Sequence, residues 1–225
     1  MEIKNTRVYG LEETALASGL PMRIEEYDEN TFAQEAAALF TGDKNEGFKR
    51  LKKLAKPPTI EGHACALKGI IVQTDITAPQ YFWLQFERYH FQDTISSQST
   101  MHRITSMGLE QQMNEYVMPE AIDLLQTLVD LYNNFDDVDD INRILADKYC
   151  YTKKLKDKKE FFQVVVSNIP EGIQLTRRVN LNYLQLINMY RQRKNHKLME
   201  WKEVFCPWVR TLPEFDYIFG LKEEE

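Results

Sequence analysis

Three polar segments of the chain carry side chains that could bind a phosphate or polarise a carbonyl group. Residues 85–90 place an amide, a guanidinium and an imidazole close together. Residues 96–103 offer hydroxyls, an amide and two potential cations, and a loop of this kind can donate several hydrogen bonds to a phosphate. Residues 182–196 add amides and basic groups to an otherwise apolar stretch. These residue types could form a site for a phosphorylated ligand.

Each segment also has a purely structural interpretation. Arg88 could pair with Glu87 or Asp93 at the surface, and the serine- and threonine-rich loop could be an ordinary connection. Asn182 and Asn188 do not fall on one clean face of a helix, because their spacing does not match its period. The residue types alone are therefore consistent with a binding site and with an ordinary polar surface.

Several functional classes are disfavoured by motifs that the sequence lacks. It contains no G-x-G-x-x-G, no P-loop and no G-x-S-x-G, which argues against a Rossmann dinucleotide site, a P-loop NTPase and a serine hydrolase. The histidines lack metal-ligand spacing and the cysteines are far apart, so we expect no metal site, no disulfide and a reducing compartment. The residues concerned are His63, His90, His102, His196, Cys65, Cys150 and Cys206.

The composition is that of one ordinary globular domain. The chain has 225 residues, 43% of them hydrophobic, so we expect a single domain over residues 1–225 with a substantial core. A net charge of -6 disfavours binding to polymeric nucleic acid, which requires a basic surface. The sequence shows neither a signal peptide nor an apolar run of about 20 residues, so we expect a cytoplasmic protein without a membrane partner.

The elements that must position the polar segments follow from the hydrophobic pattern. The first half predicts strands at residues 6–9 and 63–77, helices at Glu46–Ala55 and 81–89, and a structured loop at 93–103. The second half is predicted to be mainly helical, with residues 161–166 left open as helix or strand. Its predicted helices cover residues 119–135, 140–149, 178–190 and 199–210.

The first polar segment lies in a motif that resembles one of the flavin-dependent thymidylate synthases (ThyX). In that family a strand introduced by Gly-His leads through Ala-Pro into a helix carrying Gln-x-x-Arg-His-Arg. This chain has Gly62-His63, then Ala78-Pro79, then Gln85-Phe-Glu-Arg88-Tyr89-His90, without a gap. The central histidine of the family motif is thus Tyr89, and the last arginine is His90.

The third polar segment resembles a second motif of the same family. There a Leu-Pro is followed by an Asn, by another Asn six residues on, and by an Arg five beyond that. The corresponding residues are Ile169-Pro170, Asn182, Asn188 and Arg193. The family's nucleotide loop carries a Glu, a Ser and an Arg, whereas residues 95–98 are Ile-Ser-Ser-Gln and one residue is inserted before Ser99.

A further family arginine, just before the Leu-Pro, falls on Val166 in this chain. Losing that cation could remove a charge-assisted hydrogen bond of roughly 1.5–3 kcal/mol to a phosphate. Arg103, His102, Arg177 and Arg178 are candidate replacements.

The resemblance implies a fold and a set of site residues. It implies an α/β (α+β) fold in which a sheet is flanked by long helices, assembled as a homotetramer with shared active sites. It assigns catalytic roles to Arg88 and His90. The implied flavin-binding residues are His63, Arg88, His90, Asn182 and Asn188. The implied substrate-binding residues are Gln85, Ser97, Gln98, Ser99, Arg103 and Arg193.

The resemblance also implies an activity and its cofactors. The expected reaction is flavin-dependent methylation, or a related one-carbon modification, of a pyrimidine deoxynucleotide such as dUMP in a bacterial or phage-encoded protein. FAD is the expected cofactor, with NADPH and methylenetetrahydrofolate as possible co-substrates. The alternatives are a non-catalytic nucleotide-binding or interaction protein on the same scaffold, and an unrelated helical protein with coincidental matches.

Overall fold

The computed structural model describes residues 1–24, 28–38, 46–56, 62–89 and 92–221. The chain divides into two compact units, so the expectation of one domain over residues 1–225 stays a prediction. The first unit comprises Met1–Ile76, Gln85–Ser96 and Arg177–Glu225, and the second comprises Thr77–Leu84 and Ser97–Thr176. Within the described ranges, no helix is both long and apolar enough to span a bilayer.

Four strands form one sheet in the order β1-β2-β4-β3. Cross-strand pairs such as Gln73 with Asn180 and Asp75 with Arg178 show that β2 and β4 are antiparallel, because residue numbers rise on one strand as they fall on the other. Along β2 every second side chain is buried, which is the period of a strand with one face in the core. The strands are β1 (Glu2–Tyr9), β2 (Ile71–Pro79), β3 (Asp93–Ser97) and β4 (Gln174–Asn182).

The first unit buries the apolar faces of several helices. In α3, Phe48, Leu51 and Ala55 are buried on one face while lysines cover the other, and the helix has the bounds that the sequence predicts. The helices that lie wholly in this unit are α1 (Leu11–Ala17), α2 (Glu29–Ala38), α3 (Glu46–Ala55), α10 (Tyr183–Arg193), α11 (Cys206–Arg210) and α12 (Phe215–Phe219). Helix α4 (Gln80–Phe86) carries Gln85 into it.

The second unit is a helical cluster with its own core. Asp137 and Asp157 accept hydrogen bonds from backbone N–H groups at the starts of α8 and α9, and Pro119 begins α7. Leu125, Leu128 and the other apolar residues of these helices form one buried cluster. The helices are α5 (Thr100–Arg103), α6 (Leu109–Gln112), α7 (Pro119–Asn133), α8 (Val138–Tyr149) and α9 (Lys158–Ser167).

The predicted strand at residues 63–77 is wrong in its first half. Gly62–Gly69 form a 3-10 helix, and the strand begins at Ile71. The buried residues Ala64, Leu67 and Ile70 recur every third position, which is the period of a 3-10 helix and not of a strand.

Two other predictions in polar segments are wrong. The predicted loop at residues 93–103 contains β3 and α5, and the predicted helix at 178–190 begins only at Tyr183, after β4. All five residues of β3 are exposed, so this edge strand has no apolar alternation to reveal it. The buried residues of β4 are separated by even numbers of positions, as on one face of a strand: Leu175, Val179 and Leu181.

The predicted last helix, at residues 199–210, changes its geometry partway. Glu200–Phe205 form a π-helix, in which the Cys206 N–H bonds the Trp201 carbonyl five residues back, and α11 follows. Pro207 lies just after this segment and has no N–H to continue an ordinary ladder. π-helical turns often occur at functional sites.

Candidate functional site

Four side chains of the first unit form a hydrogen-bonded cluster, which we call the Gln85–Arg193 cluster: Gln85, Tyr89, Arg193 and Trp201. The Gln85 Oε1 atom accepts from Trp201 Nε1 at 3.0 Å and from Arg193 Nη1 at 3.3 Å. The Tyr89 hydroxyl accepts from Arg193 Nε at 2.7 Å and donates to Gln192 Oε1 at 3.1 Å. The cluster thus joins the region of α4 to the end of α10 and to the π-helix.

Aromatic packing holds this cluster in place. Trp201 is fully buried, stacks against Phe86 at a centroid distance of 6.2 Å and meets Phe205 edge-on at 5.0 Å. The Tyr89 ring contacts Trp201 edge-on at 6.0 Å. Since buried aromatic residues keep a single orientation in a close-packed core, the indole N–H points at a defined place.

The orientation of the Gln85 amide follows from its partners. An indole N–H and a guanidinium are donors only, so the Gln85 atom that they contact must be the carbonyl oxygen. The amide nitrogen then faces elsewhere and bonds none of the residues that the structure describes. Gln85 therefore offers a fixed pair of N–H donors to a ligand.

Arg193 is similarly oriented but only partly used. Its guanidinium carbon lies 5.0 Å from the Trp201 ring centroid and 5.5 Å from that of Tyr89, which are cation–π distances. The Nε and Nη1 groups bond Tyr89 and Gln85, whereas Nη2 bonds no residue in the described part of the chain. A positioned guanidinium with donors to spare suits a phosphate or a carbonyl that gains negative charge.

His196 follows Arg193 by three positions, and its surroundings favour its neutral form. Its Nδ1 atom accepts a hydrogen bond from the Leu198 N–H at 3.1 Å, which requires that nitrogen to carry no proton. Burial lowers the pKa of His196, and the positive charges of Arg193 and Lys197 lower this pKa further. These effects work against a second positive charge beside Arg193.

The remaining site residues predicted in the first unit do not all join this cluster. Arg88 is exposed in the turn after α4, and His63 is exposed in the 3-10 helix. Asn182 caps α10: its side-chain oxygen accepts from the Gln185 N–H at 3.0 Å, and Gln185 Oε1 accepts from the Asn182 N–H at 2.9 Å. Asn188 is half-buried on α10, and His90 lies outside the described residues. Their roles in flavin binding stay predictions.

The site residues predicted in the serine- and threonine-rich segment belong to the second unit. Ser97 is exposed at the end of β3, while Gln98 exchanges hydrogen bonds of 3.0 and 3.1 Å with the backbone of Thr176. Ser99 caps α5 and lies 2.8 Å from the ring of His102. Gln98 and Ser99 therefore have structural roles of their own, and the predicted substrate contacts are untested.

Arg103 is the residue of that segment with unused binding capacity. Its Nη2 atom donates to Gln112 at 3.4 Å, but its Nη1 atom is buried without a hydrogen-bond partner among the described residues. A buried guanidinium nitrogen without a partner is energetically costly. This is consistent with the predicted role of Arg103 in holding an anionic substrate.

Tyr89 and Trp201 were missed as site residues by the sequence reasoning. Tyr89 stood out only as a departure from the family motif, and Trp201 lay within an apparently ordinary helix. An indole beside the last polar segment was the available signal for Trp201. Of the residues that the structure describes, no three His, Cys, Asp or Glu side chains lie close enough together to bind a metal ion.

The mixed architecture of helices and a four-stranded antiparallel sheet defines a ThyX-like fold, which confirms the predicted fold class. Two solved structures of ThyX from Helicobacter pylori, both with FAD and dUMP, are similar to this chain. The first has a TM-score of 0.62 at 13% identity and covers 97% of each chain. The second has a TM-score of 0.60 at 15% identity, covering 97% of this chain and 98% of the other. No protein-family model and no curated protein sequence matches the chain.

Proposed function

We propose that this protein is a ThyX-like enzyme that uses FAD to methylate a pyrimidine deoxynucleotide such as dUMP, or to modify it by related one-carbon chemistry. The pairing of Gln85 with Arg193 carries the proposal. Two separate motifs assign these residues to the nucleotide, and although they are 108 positions apart their side chains are hydrogen-bonded. Coincidental motif matches would give no reason for this contact.

The chemistry of the Gln85–Arg193 cluster suits a pyrimidine nucleotide. A uracil ring presents carbonyl oxygens, which accept hydrogen bonds from amide N–H groups such as those that Gln85 has left. The positive charge of Arg193 stabilises a phosphate or negative charge that develops on the base. The neighbouring Tyr89 and Trp201 hold both donors in place before the ligand arrives, which reduces the entropic cost of binding.

The proposed flavin contacts come from the same unit. Arg88 and His63 are exposed, and the half-buried Asn188 carries an amide that can both donate to and accept from a flavin edge. These groups fit a polar, planar ligand such as the flavin ring. When bound, FAD would supply hydride transfer, while the protein binds and orients the nucleotide. NADPH, methylenetetrahydrofolate, a catalytic His90 and a homotetramer are further parts of the proposal.

The first experiment is an absorption spectrum of the purified protein, recorded with and without dUMP. We expect the bands of oxidised flavin in the protein as isolated or after addition of FAD, and a change in these bands when dUMP binds. Arg193→Gln should weaken the dUMP response while retaining the flavin bands, because Arg193 is assigned to the nucleotide. A protein that stays colourless after incubation with FAD would contradict the proposal.

A non-catalytic nucleotide-binding protein on the same scaffold is the second candidate. The observation that favours it is Tyr89, which replaces a histidine of the family motif and bonds Arg193 through its hydroxyl. This candidate predicts that dUMP binds in the absence of flavin and that no thymidylate forms. Rescue of a thymidine-requiring bacterium by the gene would exclude it.

A further inference from the structure

A small basic cleft lies in the first unit, where α3, α10 and α12 meet. Its volume is about 280 Å³, and three of its lining side chains are cations: Lys52, Lys56 and Arg191. The apolar part of the lining comes from Ala55 and the residues that end α12. We call this feature the basic cleft, and its full lining is Lys52, Ala55, Lys56, Arg191, Ile218, Phe219 and Gly220.

Among the residues that the structure describes, the basic cleft gathers three positive charges and no negative one. Within the described part of the chain, none of its three cations forms a salt bridge, although neighbouring basic residues do: Lys49 pairs with Glu46 at 2.8 Å. The whole chain has a net charge of -6, so this positive region opposes the overall balance. Like charges gathered in one concave place attract an anion.

The three cations of the cleft carry more positive charge than the two neighbouring helix ends can offset. Lys52 lies in the last turn of α3 and Arg191 in the last turn of α10, where cations offset the partial negative charge of a helix end. That partial charge is about half an elementary charge per helix. Two helix ends therefore cancel about one of the three positive charges, and the described residues of the cleft keep a positive balance of about two.

The shape of the cleft limits the kind of anion that it can hold. Its volume is just below the roughly 300 Å³ at which pockets for drug-sized ligands begin. Ala55 and Ile218 are buried and supply an apolar floor. Lys52 is held in place because its ammonium lies 4.3 Å from the centre of the Tyr217 ring. A phosphate or diphosphate group with a small organic part fits this volume and charge.

We infer that the basic cleft is a binding site for a small phosphorylated molecule, separate from the Gln85–Arg193 cluster. Arg191 and Arg193 are two residues apart on one helix, so their side chains project roughly 200° apart around its axis. A ligand in the cleft therefore does not occupy the donors of Arg193. The inference does not rest on the proposed flavin chemistry.

Titration calorimetry with inorganic pyrophosphate on the full chain tests this inference. We expect saturable binding, weakened about tenfold in Arg191→Gln and in Lys56→Gln, because each change removes one charge-assisted contact. Lys53→Gln is the matched control, because this lysine of α3 is exposed but does not line the cleft. Its affinity should stay within about twofold of wild type. All three side chains are exposed, and circular dichroism would verify that each variant is folded.

The Arg193→Gln variant separates this site from the proposed nucleotide site. Pyrophosphate affinity should be unchanged in this variant, whatever the outcome of the flavin experiment. Absence of saturable binding in wild type would overturn the inference. So would an equal loss in Lys53→Gln, which would indicate a diffuse surface effect, or a loss confined to Arg193→Gln, which would place the pyrophosphate at the other site.

Discussion

The Tyr89 hydroxyl can bond both Arg193 and Gln192, because a hydroxyl is a donor and an acceptor. The phenol accepts from the Arg193 guanidinium and donates to Gln192, so both of its hydrogen-bonding roles are used. A second permanent cation at this position would repel Arg193 at short range. Tyr89 thereby holds Arg193 by a neutral contact.

Removing only the Tyr89 hydroxyl should weaken nucleotide binding without disrupting the fold. Tyr89→Phe keeps the ring that contacts Trp201 but loses the acceptor for Arg193. The expected loss is about 0.5–1.5 kcal/mol, or roughly 2- to 10-fold in the dissociation constant of dUMP measured by calorimetry. Tyr9→Phe, at an exposed tyrosine on β1, is the control. Unchanged affinity in Tyr89→Phe would show that Arg193 does not need this contact.

At the scale of elements, the sequence predicted those helices whose apolar residues recur with helical spacing. Helix α3 has its predicted bounds, and the predicted helices at residues 119–135 and 140–149 are confirmed as α7 and α8, because their buried residues recur with helical spacing. The edge strand β3 carried no such period, since both of its faces are exposed. The π-helix at Glu200–Phe205 also had no local signature.

The sequence also predicted the candidate site only in part, because some of its contacts join distant segments of the chain. Motif spacing predicted Gln85 and Arg193, but the aromatic residues that hold them depend on packing between distant segments. Trp201 reaches Gln85 from 116 positions away, and Tyr89 reaches Arg193 from 104. No pattern within a window of sequence contains such contacts.

The junction between β4 and α10 depends on the capping pair of Asn182 and Gln185. Asn182→Ala removes the side-chain acceptor for the Gln185 N–H, so the free energy of unfolding should fall by about 1 kcal/mol. Asn182→Ser should recover most of this loss, because serine also caps helices well. Urea denaturation measures both.

The same two variants also test the predicted flavin contact of Asn182. A flavin affinity that falls in Asn182→Ala and returns in Asn182→Ser would indicate that Asn182 acts through the cap. Loss of flavin in both, with stability recovered in Asn182→Ser, would favour direct contact. An unchanged free energy of unfolding in Asn182→Ala would contradict the capping role.

At the scale of the whole molecule, the lowered pKa values of His196 and Asp75 make the free energy of unfolding depend on pH in the same direction. Burial, with help from Arg193 and Lys197, lowers the pKa of His196. Hydrogen bonds from Asn5 and Arg178, and the charge of Arg178, lower the pKa of Asp75 against the opposing effect of burial. In both cases the unfolded chain takes up a proton at a higher pH than the folded chain does, so acid favours unfolding.

His196 and Asp75 affect the free energy of unfolding in separate pH ranges, so a variant of each can be measured independently of the other. As pH falls below about 6.5, the unfolded state protonates its histidine first and the free energy of unfolding decreases. The contribution of Asp75 is present above about pH 3.9 and is lost as pH falls through its lowered folded pKa. His196→Asn should therefore reduce the decline between about pH 7.5 and 5.5, and Asp75→Asn only the decline below about pH 4.5. Urea midpoints across this range measure both. An unaltered upper window in His196→Asn would mean that the imidazole titrates equally in both states, and that Arg193 has a charged neighbour below pH 6.5.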